Sequence, residues 1–187
     1  MLALDEIAQR LVARPRERYS FPLFRRAAVL ALIAQDRNGK QALHFTLRRH
    51  DLPTHAGQIS FPGGKIEPSD QDEIAAALRE TEEELGIAVD RRSVIGLLDD
   101  IPTPSRFVIS PVVAWLDQPI VLNPNPGEVA EVFAVPLDEL LDPRIYTTRG
   151  KRQFLGIDFT MHEYHWQQHR IWGATAKMVA SLVEILR

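Results

Sequence analysis

The chain has 187 residues, 45% of them hydrophobic and 25% charged, with a formal net charge of −3 and no cysteine. That length accommodates one well-buried domain and is short for two, and the near-neutral balance argues against a general nucleic-acid binder. Without cysteine, disulfides, thiolate catalysis and Cys-ligated zinc are excluded.

Residues 1–26 read as a lead-in whose Leu2, Ile7 and Leu11 fit a short amphipathic helix. Asp5 and Glu6 interrupt its apolar run, which is wrong for a secretory signal. The longest apolar run, Ala27 to Ala34, is far below the ~20 residues that span a bilayer. The expectation is a soluble, cytoplasmic protein with no membrane partner. "AAVLALIA" (27–34) and "ALHFTLRR" (42–49) flank the turn signal "QDRNGK" and read as strands, the first buried on both faces.

Residues 72–85 read as a helix, with Ser69 or Asp70 as N-cap and Gly86 just past its end. "SVIGLLDDI" (93–101) and "FVISPVVAWL" (107–116) read as strands, and Pro111 predicts that the second is bulged or at an edge. "NPNPGE" (123–128) is a loop, "VAEVFAVP" (129–136) a strand and "LDELL" (137–141) one helical turn. "RQFLGIDF" and "HEYHW" read as a hairpin, and residues 174–187 as a closing helix with Met178 and Leu182 on its inner side. The pattern predicts one layered α/β or α+β domain with a mixed sheet.

The helix at 72–85 carries Glu80, Glu82, Glu83 and Glu84 in five positions. At about 100° per residue, Glu80, Glu83 and Glu84 share one sector, and Glu82 points nearly the other way. Ile74, Leu78, Thr81 and Leu85 form the stripe expected to meet the sheet, with Ala76 and Ala77 leaving room beside the glutamates. Like charges at this spacing repel, and Arg79 alone cannot balance them. The spacing alone equally describes a solvated face. The preceding Pro62-Gly63-Gly64 turn, whose carbonyls can approach the helix closely, favours a site for a hard divalent cation, Mg²⁺ or Mn²⁺.

"RETEEELGI" (79–87) behind "FPGG" resembles the Nudix hydrolase signature G-x5-E-x7-R-E-U-x-E-E-x-G-U, in which U is bulky and apolar. Thr81 departs at a U position, and Gly64 to Arg79 spans one residue more than the signature, with Asp70 where its first glutamate belongs. The upstream "HFTLRRHDLPTHAGQISFPGG" is similar to the segment of the branch that hydrolyses coenzyme A, with Arg49 in place of a serine and Pro53 in place of a second arginine. "NPNPGEVAEVFAVPL" and "IWGATA" extend the likeness, which runs from about residue 27 to 180.

The resemblance implies an α/β/α sandwich with a mixed central sheet, a single domain over 1–187 and a Nudix box at about 64–87. It implies hydrolysis of coenzyme A to 3′,5′-ADP and 4′-phosphopantetheine, or of another dinucleotide such as NADH or ADP-ribose. A fold kept only for binding is the alternative from another class. Glu80, Glu83 and Glu84 would hold Mg²⁺ or Mn²⁺ with the Gly63 carbonyl, and Arg79 would orient a glutamate. The general base is Glu80 or Glu128, with Glu131 less suited because it should lie within a strand. Arg48, with Arg25 or Arg26, would meet the substrate. His162, His165 and His169 read as strand and turn residues rather than a second metal site, and Phe61 as core.

Overall fold

The computed structural model describes residues 3–52 and 55–187. Leu2 and Pro53 lie outside the described residues. Eight strands form one mixed sheet: β1 (Arg25–Gln35), β2 (Gln41–Arg48), β3 (Ile59–Ser60), β4 (Gly63–Lys65), β5 (Val94–Leu97), β6 (Ile101–Pro102), β7 (Phe107–Pro119) and β8 (Val129–Pro136). The helices are α1 (Leu4–Ala13), α2 (Glu73–Leu85), α3 (Leu137–Leu140) and α4 (Gly173–Leu186). A separate three-stranded sheet joins β9 (Tyr146–Phe154), β10 (Ile157–Trp166) and β11 (His169–Trp172).

β1 is the axis of the large sheet because its apolar run has no polar face. Residues Ala27 to Ala34 are all buried, as a strand covered on both sides requires. It runs parallel to β7 and pairs on its other edge with β4 at its start and β2 at its end. Ala28, Leu30 and Leu32 pack with Val112 and Ala114 beneath Ala76 and Ala77 of α2. Val29, Ala31 and Ile33 face the opposite layer, where Ile7 and Leu11 of α1 meet Met178 and Leu182 of α4. The result is the α/β/α sandwich expected.

Three local expectations are corrected. Pro111 sits in an interior strand, in unbroken register with Val29 of β1; the irregularity of β7 comes later, between the pairs Ile33–Trp115 and Gln35–Pro119. Its carbonyl accepts from Leu98 N–H at 2.9 Å, so its missing donor faces the interval between β5 and β6, where no ladder bond is lost. The chain from 146 to 172 forms two hairpins: "HEYHW" pairs with β11 as well as with β9. On α2, Ala76 and Ala77 are fully buried against the sheet, and Ile74 and Leu78 only flank that contact. Small residues bring the helix axis close to the sheet instead of leaving space beside the glutamates.

The lead-in after α1 is tied down by charge. Arg14 pairs with Asp99 at 2.9 Å, and Arg16 bridges Asp100 at 2.6 Å and Glu73 of α2 at 2.7 Å. The Asp100 carboxylate is fully buried and also accepts from Arg26 and from the Ser110 hydroxyl.

Candidate active site

α2 begins where Asp72 caps it, accepting from Ala75 N–H at 2.8 Å while pairing with Arg91. Neither Ser69 nor Asp70 is the cap. Asp70 instead turns its buried carboxylate onto Arg79, through two bonds of 3.0 Å. The helix ends at Gly86, whose φ of 65° is the left-handed conformation that glycine adopts without a Cβ penalty. Asn123 N–H and Asn125 N–H then satisfy the last carbonyls, those of Leu85 and Glu84, at 2.9 and 2.8 Å. This docking delivers the 123–128 loop, and with it Glu128, to the glutamate end of the helix.

Gly63 and Gly64 are dictated by close approach. A Cβ on Gly63 would stand 2.3 Å from the Ala28 carbonyl oxygen, at a φ of +153°. One on Gly64 would stand 2.4 Å from the carboxyl carbon of Glu80. Gly63 thus admits the close pairing with β1, and Gly64 lets the strand lie flat against the Glu80 carboxylate, which a side chain there would prevent.

The three glutamates occupy different environments. Glu84 is buried, accepts from Gly63 N–H at 3.3 Å and lies 3.6 Å from the Arg48 guanidinium. Burial pushes its pKa up to about 7, against the pull of Arg48 and the Gly63 amide. Glu80 is half-buried and also raised, chiefly by burial, with Arg79 at 3.0 Å opposing the shift. Glu83 is exposed and receives Arg79 at 3.2 Å. Arg79 therefore collects Asp70, Glu80 and Glu83, and donates to the Lys65 carbonyl as well, which holds its guanidinium in place. Its guanidinium is thereby shared among three carboxylates and one carbonyl.

The buried hydroxyl of Thr81, the departure from the signature, is satisfied by donation to the Ala77 carbonyl at 2.7 Å. Asp70 was expected as a cap or in the place of the signature's first glutamate, and it lies against Arg79 beside the glutamates. Its position six after Gly64 was the available signal, obscured by the extra residue in the box.

Glu128 is half-buried, and its charge raises the pKa values of both Glu80 and Glu84. Among the described residues its carboxylate has no hydrogen bond or ion pair, which leaves it available. Glu131 lies in β8 opposite Leu47 and bonds His169 at 3.1 Å. Arg48 joins the carboxylates, and among the described residues its buried Nε has no partner. Arg26 does not reach them: it donates to the Tyr19 carbonyl, Asp100 and Ser110. Arg25 lies over the Phe107 ring at 4.3 Å. Although the start of β1 pairs with β4 beside the glutamates, both side chains are engaged elsewhere, and among the described residues neither pairs with a glutamate of α2.

The three histidines diverge. His162 bonds the Tyr146 hydroxyl, His165 meets Glu163, and His169 stacks on Phe133 at 3.7 Å. Phe61 is core, 5.1 Å from Phe45. An open hollow of about 470 Å³ adjoins the Glu128 loop, lined by Arg49, His50, Asp51, Pro126, Val129 and Ala130. Its size is that of small-molecule pockets.

The donor set is all oxygen: three carboxylates on one helix beside a glycine backbone. That chemistry suits a hard divalent cation, and Glu84, buried and short of positive partners, is the group that would gain most from one. Among the described residues no three Asp, Glu or His side chains converge to hold an ion as they stand. Glu80 and Glu83 are drawn to Arg79, and Glu84 to Arg48.

A NUDIX domain model matches residues 24–155, more than half of the chain, and the chain belongs to the Nudix hydrolase family. It is 34% identical over 192 residues to the uncharacterized Nudix hydrolase NudL of Photorhabdus laumondii, covering 98% of each chain. It is 40% identical to the human mitochondrial coenzyme A diphosphatase NUDT8 over 166 residues, 86% of this chain and 69% of that one. With the mouse peroxisomal coenzyme A diphosphatase NUDT7 it shares 36% identity over 80% of this chain and 66% of that one. A MutT/nudix family protein from Enterococcus faecalis superposes with a TM-score of 0.59 at 12% identity, over 99% of this chain and 70% of that one, a likeness of fold. Among the described residues no helix is long and apolar enough to cross a membrane.

Proposed function

We propose that the protein is a divalent-metal-dependent diphosphatase that hydrolyses coenzyme A to 3′,5′-ADP and 4′-phosphopantetheine. The observation that carries the reading is the packing of Glu80 and Glu84 onto the Gly63-Gly64 backbone. It concentrates negative charge at a site where burial disfavours it, an arrangement with no use in a merely solvated helix. The named relatives that act on coenzyme A support the choice of substrate.

Glu80, Glu83 and Glu84, with the Gly63 carbonyl, would hold Mg²⁺ or Mn²⁺. The bound cation supplies neutralisation of phosphate charge and a water of lowered pKa. Arg79, fixed by Asp70, keeps the Glu80 and Glu83 carboxylates directed to one place. Glu128 accepts the proton of the attacking water, because Glu80 is clamped between Arg79 and Gly64 whereas Glu128 is not committed to another side chain. Arg48 offers positive charge to the phosphates from beside Glu84.

Comparison of kcat/KM for coenzyme A, NADH and ADP-ribose with Mg²⁺ and with Mn²⁺ tests the substrate. Coenzyme A is expected to lead by at least about tenfold, which is about 1.4 kcal/mol of transition-state preference. A lead for NADH or ADP-ribose would keep the diphosphatase and reject coenzyme A.

A further inference from the structure

Arg49 stands where the coenzyme A branch has serine, at the exit of β2 and across from the loop that carries Glu128. Its guanidinium makes a two-pronged contact with Asp51, Nε to Oδ1 at 2.8 Å and Nη2 to Oδ2 at 2.6 Å. The remaining nitrogen, Nη1, donates to the Pro126 carbonyl at 2.7 Å. Its backbone N–H donates to the Glu128 carbonyl at 3.1 Å. Residues 126 and 128 of one loop are therefore held by the side chain and the main chain of a single residue. Within the loop, Gly127 N–H bonds the Asn125 side chain at 2.9 Å and Glu128 N–H bonds the Asn125 carbonyl at 3.1 Å. The other end is fixed to α2 through Asn123 and Asn125.

We propose that Arg49 is a positioning residue for Glu128, a role that serine, with its short hydroxyl, cannot fill. Asp51 fixes the plane of the guanidinium, so that Nη1 meets Pro126 in one orientation. The pair is exposed, 42% and 64% for the two side chains, so it adds little to global stability. Its consequence is local: without the bond to Pro126, the turn before Glu128 loses its side-chain tie to the β2 exit and keeps only main-chain ties to Arg49 and α2 and the bonds within the loop. The inference rests on the reading of Glu128 as proton acceptor.

The test is a double-mutant cycle of Arg49→Ala with Glu128→Gln, read as kcat, KM and the pH profile of kcat on coenzyme A, with melting temperature as the folding control. Arg49→Ala is expected to lower kcat about tenfold, a tenth of what a misplacement of about 1 Å can cost, with KM and melting temperature nearly unchanged. In the Glu128→Gln background the same change is expected to add almost nothing, since the group it positions is gone. Arg49→Lys, which keeps a donor for Pro126 but loses the fork, is expected to fall between. If Arg49→Ala costs the same factor in both backgrounds, or raises KM with kcat intact, the positioning role is wrong and the reading of Glu128 stands. If Glu128→Gln alone turns over like the wild type, Glu128 is not the proton acceptor and the proposal falls with it.

Discussion

Glu84 shows how one side chain carries both the cost and the purpose of the site. Its unfolded carboxyl titrates near 4.5 and its folded one at about 7, raised by burial. A raised acid pKa means that the folded state binds the proton more tightly. The associated stability is full below about pH 4.5 and is lost as pH rises through about 7. The gap corresponds to at most about 3 kcal/mol. In chelator-treated protein the melting temperature is expected to fall by several degrees between about pH 5 and about pH 7. Glu84→Gln, which has no charge to bury, should flatten that slope, and an unchanged slope in the variant would reject this account of Glu84. Gly64 makes the same case sterically. With a Cβ 2.4 Å from the Glu80 carboxyl carbon, Gly64→Ala must displace Glu80. Turnover should drop by about a hundredfold with little change in melting temperature; near-normal turnover would show that the close approach is incidental.

α2 is the element on which reading from sequence was most and least informative. Its glutamate spacing, its left-handed stop at Gly86 and its extent were legible because periodicity and glycine leave local signals. Its N-cap was not, because Ser69, Asp70 and Asp72 all suit a cap, and only the position of Arg79 shows which carboxylate is taken. The buried face was legible in part: Thr81 and Leu85 of the expected stripe are buried, but Ala76 and Ala77 join them, because alanine reads as space in a sequence and serves as close packing in a fold. Pro111 misled for a related reason: the ladder interruption that tolerates it belongs to the neighbouring strand, out of view of a local pattern. The stop at Gly86 does more than end the helix, since its missing Cβ admits the Asn123 carbonyl, 2.7 Å from where that atom would be. Gly86→Ala is expected to cost about 1–2 kcal/mol from the left-handed backbone alone, measured by urea denaturation. It should also lower turnover by disturbing the loop that leads to Glu128. Loss of stability with turnover intact would uncouple loop and helix.

Across the whole molecule, two charge networks divide the labour. One, around Asp100, ties the lead-in, β7 and the first turn of α2 through Arg16, Arg26 and Glu73. The other, around Arg79 and Glu84, lies at the far end of the same helix and against the sheet backbone. Arginines 25 and 26 read from the sequence as substrate groups because no local pattern shows that Phe107 and Asp100, distant in the chain, engage their side chains. Asp100→Ala leaves two guanidiniums without their buried partner and is expected to destabilise the fold by about 3 kcal/mol or more, with kcat per folded molecule largely kept. A large fall in kcat at full stability would mean that the two networks are not separate. The central claim is that the α2 carboxylates serve diphosphate hydrolysis of coenzyme A. Its most direct test is mass-spectrometric product analysis of coenzyme A incubated with the protein and Mg²⁺ or Mn²⁺, with Glu83→Gln alongside. The wild type is expected to release 3′,5′-ADP and 4′-phosphopantetheine, and the variant almost none. Intact coenzyme A after wild-type incubation, or equal product from the variant, would contradict it.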